Sequence, residues 1–361
     1  MKEAIMYDSS KSGLIKCRIC PHECVIFPIK KNFLQQKTGV KAEIKKENLG
    51  FCGTRINLAG KLYTLNYGRI TSLEVEPIEK KLLYHFMPGS MTLSVGSFGC
   101  NFRCPNCYNW EISQTASLVQ NKPETIFQIK KSFPEISPTE IITQALENRC
   151  ASISFTYNEP TVSLEFNLKT MELAKKAKLK IVWVTNGFIS PSALELILPY
   201  LDAVNLDIKF FNEKLYSSHS KGDLVPVLKN LVKIARRKIH LEIATLVMPK
   251  LNEERNILDL ADFIKTKISR HIPLHLIDFS APISWQMEKW DEPTKKEIVK
   301  IWKRLITEGL DFVYADINTK TKNTYCPHCG EINIERLDYE IERKDDCGFC
   351  FNCDRRLFIR E

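Results

Sequence analysis

MTLSVGSFGCNFRCPNCYNW, residues 91–110, sets an apolar, alternating run directly against a loop that carries three thiols, Cys100, Cys104 and Cys107. The run Met91–Ser97 reads as a strand by its period of two. A ferredoxin-type cluster takes four thiolates. Three on one loop can bind three irons of a cubane and leave the fourth iron open to another ligand, whereas a zinc site here lacks an obvious fourth ligand. Position adds to spacing, because loops at strand C-termini form the catalytic face of α/β barrels.

Outward from this stretch, apolar β-branched runs alternate with amphipathic helical patterns. The further strand candidates are Ser152–Tyr157, Lys180–Thr185, Ala203–Lys209, His240–Met248 and Pro273–Phe279, with Asp311–Asp316 as a candidate seventh. Between them, Thr139–Leu146, Ser163–Ala177, Leu224–Arg237 and Glu254–Ile268 repeat apolar residues at three- and four-residue intervals. Such repetition implies right-handed βαβ units and a parallel sheet. We expect an α/β fold, a partial (β/α)6 TIM-like barrel over residues 91–318; a doubly wound flat sheet shares the same periodicity. Residues 1–90 form a Cys-rich N-terminal extension with a lysine-rich connection, Lys30–Leu49. Residues 319–361 read as a zinc-ribbon-like module.

Composition narrows the class. With 44% hydrophobic and 26% charged residues, the 361-residue chain has the makeup of a globular protein, not a disordered one. No apolar run approaches the ~20 residues that span a bilayer, and the first residues lack the apolar core of a secretion signal, so a cytoplasmic protein without membrane contact is expected. Thirteen cysteines in such a setting point to metal ligands over disulfides. Cys150 stands apart and reads as a small core residue. A net charge of +9 permits nucleic-acid contact without requiring it; stretches such as Lys41–Lys46 are explained by a solvated lysine-rich surface.

CNFRCPNC resembles the radical S-adenosylmethionine (SAM) signature, and the longer GCNFRCPNCYNWEISQ is similar to that of the AmmeMemoRadiSam-system enzymes, relatives of the pyruvate formate-lyase activating enzyme. The resemblance runs on through YHFMPGS (Tyr84–Ser90), TYNEPT (Thr156–Thr161), VTNGFI (Val184–Ile189), NLDIK (Asn205–Lys209), TLVMPKLN (Thr245–Asn252) and NTYCPHCG (Asn323–Gly330). It implies a [4Fe–4S] cluster on Cys100, Cys104 and Cys107 whose open iron chelates SAM. An electron from a low-potential donor of ferredoxin or flavodoxin type would then cleave SAM. The resulting 5′-deoxyadenosyl radical would abstract hydrogen from an unknown protein or small-molecule substrate.

A barrel that binds a zwitterionic nucleoside should present polar side chains at its strand ends. Asn158 and Glu159, Thr185 and Asn186, and Asp207 and Lys209 stand there, and His275 lies on the sixth strand. By resemblance Glu159 holds the SAM amino group, Asp207 and Lys209 match a DxK pattern, and His275 contacts SAM. Each has a plainer reading: a turn at Asn186-Gly187, an ion pair of Asp207 with Lys209, and a hydrogen-bonded core histidine at 275. The chain departs from the family's pattern at three places. Asn106 replaces the usual aromatic before the third cysteine, so Tyr108 or Trp110 is expected to supply a ring near adenine. Val184 replaces the acidic residue of many glycyl-radical-enzyme activases, which argues against that alternative. Leu274 replaces a tryptophan before His275.

Two further cysteine sets flank the barrel. Cys326-Pro-His-Cys329 and Cys350-Phe-Asn-Cys353 have the closed CxxC…CxxC spacing of structural Zn²⁺, with rubredoxin-like iron as the other occupant and Cys347 as a spare thiol. Cys17, Cys20, Cys24 and Cys52 fit an auxiliary Fe–S cluster or a second zinc equally, with His22 expected at the surface. A zinc-finger-type nucleic-acid-binding protein is the contrasting class. It leaves the central triplet and the strand-end polar residues unexplained, and nucleic acid is not expected as a partner.

Overall fold

The computed structural model describes residues 1–29, 44–119, 122–337 and 340–361. Most of the lysine-rich connection, residues 30–43, lies outside them.

Eight strands form the central sheet: β1 (Ile70–Pro77), β2 (Met91–Ser97), β3 (Ser152–Phe155), β4 (Lys180–Thr185), β5 (Ala203–Asp207), β6 (His240–Val247), β7 (Leu274–Asp278) and β8 (Val313–Ala315). They stand side by side in chain order. Strands β2 to β8 are parallel, and β1 pairs antiparallel with β2. A doubly wound sheet reverses direction at a switch point. Strictly sequential order excludes that topology and fits a TIM-like core; no pairing joins β1 to β8 among the described residues. Strand β1 lies within the stretch read from sequence as the N-terminal extension, yet it is the outermost strand of this sheet.

The crossover helices are α1 (Pro138–Glu147), α2 (Leu164–Lys176), α3 (Pro191–Ile197), α4 (Leu224–Ala235), α5 (Glu254–Lys267) and α6 (Lys295–Thr307). Their starts are written in local chemistry. Thr294 Oγ1 accepts from Glu297 N at 3.2 Å while Glu297 Oε2 accepts from Thr294 N at 2.7 Å, a capping box that satisfies two orphan donors. Helix α6 then buries Ile298, Ile301, Trp302 and Leu305, a stripe at three- and four-residue steps. Ser137 and Glu140 make the same box for α1, with Pro138 at its first position. Strand β6 is buried along its whole length, as a strand covered by helices must be. Cys150 is buried in the main core, as a small apolar residue would be.

The N-terminal residues make two small antiparallel sheets. One includes Arg55–Leu58, whose Arg55 forms a buried 2.8 Å ion pair with Glu165 of α2. The C-terminal residues make a third sheet, Thr324–Tyr325, Ile332–Leu337 and Glu340–Arg343, docked beneath the barrel. Buried Arg336 donates to Tyr84 O at 2.8 Å and to Thr324 Oγ1 at 2.9 Å.

Candidate active site at the strand C-termini

Strand β2 delivers its cysteine loop to the rim of a cavity of about 480 Å³. Cys100, Cys104 and Cys107 line it together with Tyr108, Asn158, Glu159, Thr185, Asn186, Asp207 and Lys209, which come from the ends of β2, β3, β4 and β5. All but one of the cofactor-contact candidates read from the sequence therefore meet in one place.

The loop is held rigidly. Arg103 Nη1 donates to Cys100 O at 3.0 Å and to Phe102 O at 2.9 Å, and Arg103 N donates to Ser220 O at 2.9 Å. Phe102 packs between Phe188 and Tyr216. Gly222 is obligatory there, because a Cβ would come within 2.2 Å of the Phe102 ring. Phe102 N also donates to Cys100 Sγ at 3.4 Å. Burial pushes the Cys104 thiol up to about 11, against the pull of the Lys209 ammonium, and raises Cys100 further with help from Glu159. A metal bound through these sulfurs would have to displace protons.

Glu159 sits at the floor, fully buried. Its carboxylate accepts from Thr161 N at 3.0 Å, Thr185 Oγ1 at 2.9 Å and Asn186 N at 2.8 Å. Burial raises its pKa, and these hydrogen bonds oppose the rise. Asn158 ties two strands: its Oδ1 accepts from Ser97 N at 3.1 Å and its Nδ2 donates to Gly99 O at 2.8 Å. Asn186 Nδ2 donates to Asn101 Oδ1 at 2.9 Å, linking the turn after β4 to the cysteine loop. Asn186 thus belongs to a turn and to the wall of the cavity at once.

Lys209 is ion-paired with Asp207. Burial works against its charge, but Asp207 and the Cys104 sulfur outweigh it and hold Lys209 above the usual lysine range. Asp207 Oδ1 is buried with no partner among the described residues. The Tyr108 hydroxyl donates to Asp278 O at 3.2 Å and accepts from Ser280 N at 2.7 Å, which fixes its ring at the cavity wall. Trp110 does not line the cavity. Asn106 is buried and accepts from His219 Nε2 at 3.1 Å.

His275 is the exception. It is the second residue of β7, whereas the cavity is built from strand C-termini. Its Nε2 donates to Glu242 Oε2 at 2.6 Å, and its ring stacks on Tyr314. Glu242 also accepts from Tyr84 N at 3.0 Å, His85 N at 2.7 Å and His240 Nε2 at 2.9 Å. The plainer reading of His275 as a hydrogen-bonded core residue matches this setting. YHFMPGS supplies two donors to the same network, at the end of the sheet where polar groups serve stability.

Sequence reasoning missed Glu76 and Lys81, which form an ion pair on the β1 side of the cavity. Tyr157 donates to Glu76 Oε2 at 2.6 Å. Although burial alone would raise it, the Lys81 and Tyr157 hydrogen bonds bring Glu76 down to about 2. Only the assignment of β1 to the sheet would have shown them.

Beneath the barrel, Cys326, Cys329, Cys350 and Cys353 place their sulfurs within 4.8 Å of one another. Cys326 and Cys353 are 3.6 Å apart, as are Cys329 and Cys350. Asn333 Nδ2 donates to Cys350 Sγ at 3.4 Å. Cys347 is exposed and outside this group. His22, expected at the surface, is half-buried instead, because its Nε2 bonds Asn101 O at 2.8 Å and its ring packs on Phe51. No helix of the described residues is long and apolar enough to cross a membrane.

A family model described as the Radical SAM superfamily matches residues 94–264. An uncharacterized protein of Methanocaldococcus jannaschii is 34% identical over 361 residues, covering 96% of this chain and 98% of that protein. The (2S)-3-sulfopropanediol dehydratase activating enzyme of Klebsiella oxytoca is 24% identical over 176 residues, 48% of this chain and 56% of that protein. Among solved structures, Streptococcus suis SuiB bound to the precursor peptide SuiA aligns with a TM-score of 0.46 at 16% identity, over 66% of this chain and 51% of that one. A family match that spans the cysteine loop, together with an activating-enzyme relative, makes this chain an enzyme of the radical SAM superfamily.

Proposed function

We propose that Cys100, Cys104 and Cys107 ligate the [4Fe–4S] cluster that the family implies, and that SAM binds beside it in the cavity. One observation carries this reading: three thiols, a buried carboxylate and a half-buried Asp207–Lys209 pair share one cavity at the strand C-termini. The donor set fits the group. Three sulfurs come from one loop, and they are not drawn together as the four beneath the barrel are. When bound, the cluster would supply the single electron that cleaves SAM to methionine and a 5′-deoxyadenosyl radical able to take hydrogen from the substrate.

The chain's own residues position and shield. Lys209 offers an ammonium, and Asp207 Oδ1 a free acceptor, to the charged end of a zwitterionic ligand. Glu159 already accepts four backbone and hydroxyl donors through its two oxygens, so it meets an ammonium while also organising the turn after β4. Tyr108 presents a ring for an adenine face. The four sulfurs beneath the barrel hold zinc: tetrahedral Zn–S bonds of ~2.3 Å place sulfurs about 3.8 Å apart, close to the 3.6 Å seen. The low-potential donor is of ferredoxin or flavodoxin type.

Activation of a glycyl-radical protein is the finer alternative, favoured by the Klebsiella oxytoca relative and opposed by Val184 before Thr185. Electron paramagnetic resonance of the reduced, reconstituted protein tests the cavity assignment. Adding SAM should shift the cluster signal, and Lys209→Met should weaken the SAM concentration dependence by about tenfold. A signal indifferent to SAM would contradict the assignment.

A further inference from the structure

Four other thiols lie directly behind the triplet loop. Cys17 ends the strand Ile15–Cys17, Cys20 and Cys24 follow in the next turn, and Cys52 sits in the tight turn 50–53. They line one cavity with Ile19, Gly50 and Arg55. We propose that Cys17, Cys20, Cys24 and Cys52 hold a second iron–sulfur cluster.

Two observations support iron over zinc. The first is spacing, for which the chain supplies its own standards. Among the described residues, the sulfurs beneath the barrel are the one group drawn within 4.8 Å of one another, as a single zinc ion requires. The N-terminal sulfurs are not so drawn, and neither are those of the triplet; both sets border a cavity instead. Thiolates on a cubane bind different irons and stand farther apart, around a volume that the cluster fills. Hydrogen bonds to sulfur do not tell the two metals apart, since Asn333 Nδ2 donates to Cys350 Sγ as well, but they liken this set to the triplet. Phe51 N donates to Cys24 Sγ at 3.3 Å, just as Phe102 N donates to Cys100 Sγ at 3.4 Å. Such bonds tune iron–sulfur potentials.

The second is contact with the triplet. Gly99 approaches Cys52 so closely that a Cβ would lie 2.7 Å from Cys52 O. His22 Nε2 bonds Asn101 O at 2.8 Å. Arg103 bonds Cys100 O and Phe51 O, so one guanidinium spans the two cysteine loops. A structural zinc needs no such neighbour, whereas a redox centre gains a partner.

Placement then defines a role, and the role rests on the radical SAM reading of the triplet. A ferredoxin- or flavodoxin-type donor loses one electron to the second cluster. That cluster passes the electron to the triplet's cluster and returns to its oxidised state, and no atoms are exchanged.

Metal counts and spectra separate the possibilities. Anaerobically reconstituted wild-type protein should hold about eight irons and one zinc per chain. The Cys100→Ala, Cys104→Ala, Cys107→Ala protein should keep about four irons and a reducible cluster signal. Adding Cys17→Ala and Cys20→Ala should remove that iron. About four irons and two zincs in wild type, or a folded triplet variant without iron, would overturn the site. For the relay, Cys20→Ala should slow donor-driven SAM cleavage at least about tenfold while the triplet's cluster signal persists. An unchanged donor-driven rate would overturn the relay. Should wild type fail to cleave SAM at all, the radical SAM reading falls, yet the iron retained by the triplet variant still decides the site.

Discussion

Gly99 shows how much one residue carries. Its φ is +89°, a region costly for side chains, and an added Cβ would meet Thr54 Cγ2 at 2.4 Å and Cys52 O at 2.7 Å. Gly330 has a similar φ of +80° but nothing within 4 Å of an added Cβ. Gly99→Ala should therefore cost at least about 2 kcal/mol and lower the iron content, whereas Gly330→Ala should cost only about 1 kcal/mol. Equal melting temperatures for the two variants would show that the packing of Gly99 against the Cys52 turn is unimportant. At this scale the sequence was legible where chemistry and spacing coincide, as with the triplet, Glu159, Asp207 and Lys209. It was silent where a side chain's depth along its strand decides the matter. His275 occupies an expected strand but its second position, and no spacing rule reports which end of a strand faces the cavity.

Among the elements, strands β2 to β7 lie within the stretches that alternation marks out, because buried β-branched runs flanked by amphipathic helices leave few other arrangements. Strand β1 escaped because its ITSLEVEP pattern suits any half-exposed strand, and only its pairing with β2 assigns it to the sheet. Helix α6 follows a Pro-containing loop, and its capping box was the signal available. That box has a measurable worth. Thr294→Ala removes the acceptor for Glu297 N and should destabilise the protein by about 1 kcal/mol, lowering its melting temperature by roughly 2 °C. An unchanged melting temperature would mean that α6 is held by its buried stripe alone.

For the whole molecule, chemistry and stability occupy opposite ends of one sheet. The cysteine triplet faces the cavity at the strand C-termini, while the four-sulfur group belongs to a module docked beneath through Arg336, His85 and Tyr314. That docking makes the module part of the barrel's support, a coupling that CxxC spacing does not reveal. Cys326→Ala should empty the zinc site proposed for these four sulfurs and lower the melting temperature of the whole chain, not only of the module, because its folding free energy is shared. SAM cleavage should remain measurable in the protein that stays folded. A well-folded variant with full zinc and no cleavage would place the module in the chemistry instead.

The most direct test follows product. Wild-type protein and Cys104→Ala would be reconstituted anaerobically, reduced, supplied with SAM, and assayed for 5′-deoxyadenosine and methionine. Wild type should form both, and Cys104→Ala, lacking one of the three proposed iron ligands on its loop, should form neither above background. Undiminished 5′-deoxyadenosine from Cys104→Ala would contradict the assignment of the cluster to Cys100, Cys104 and Cys107.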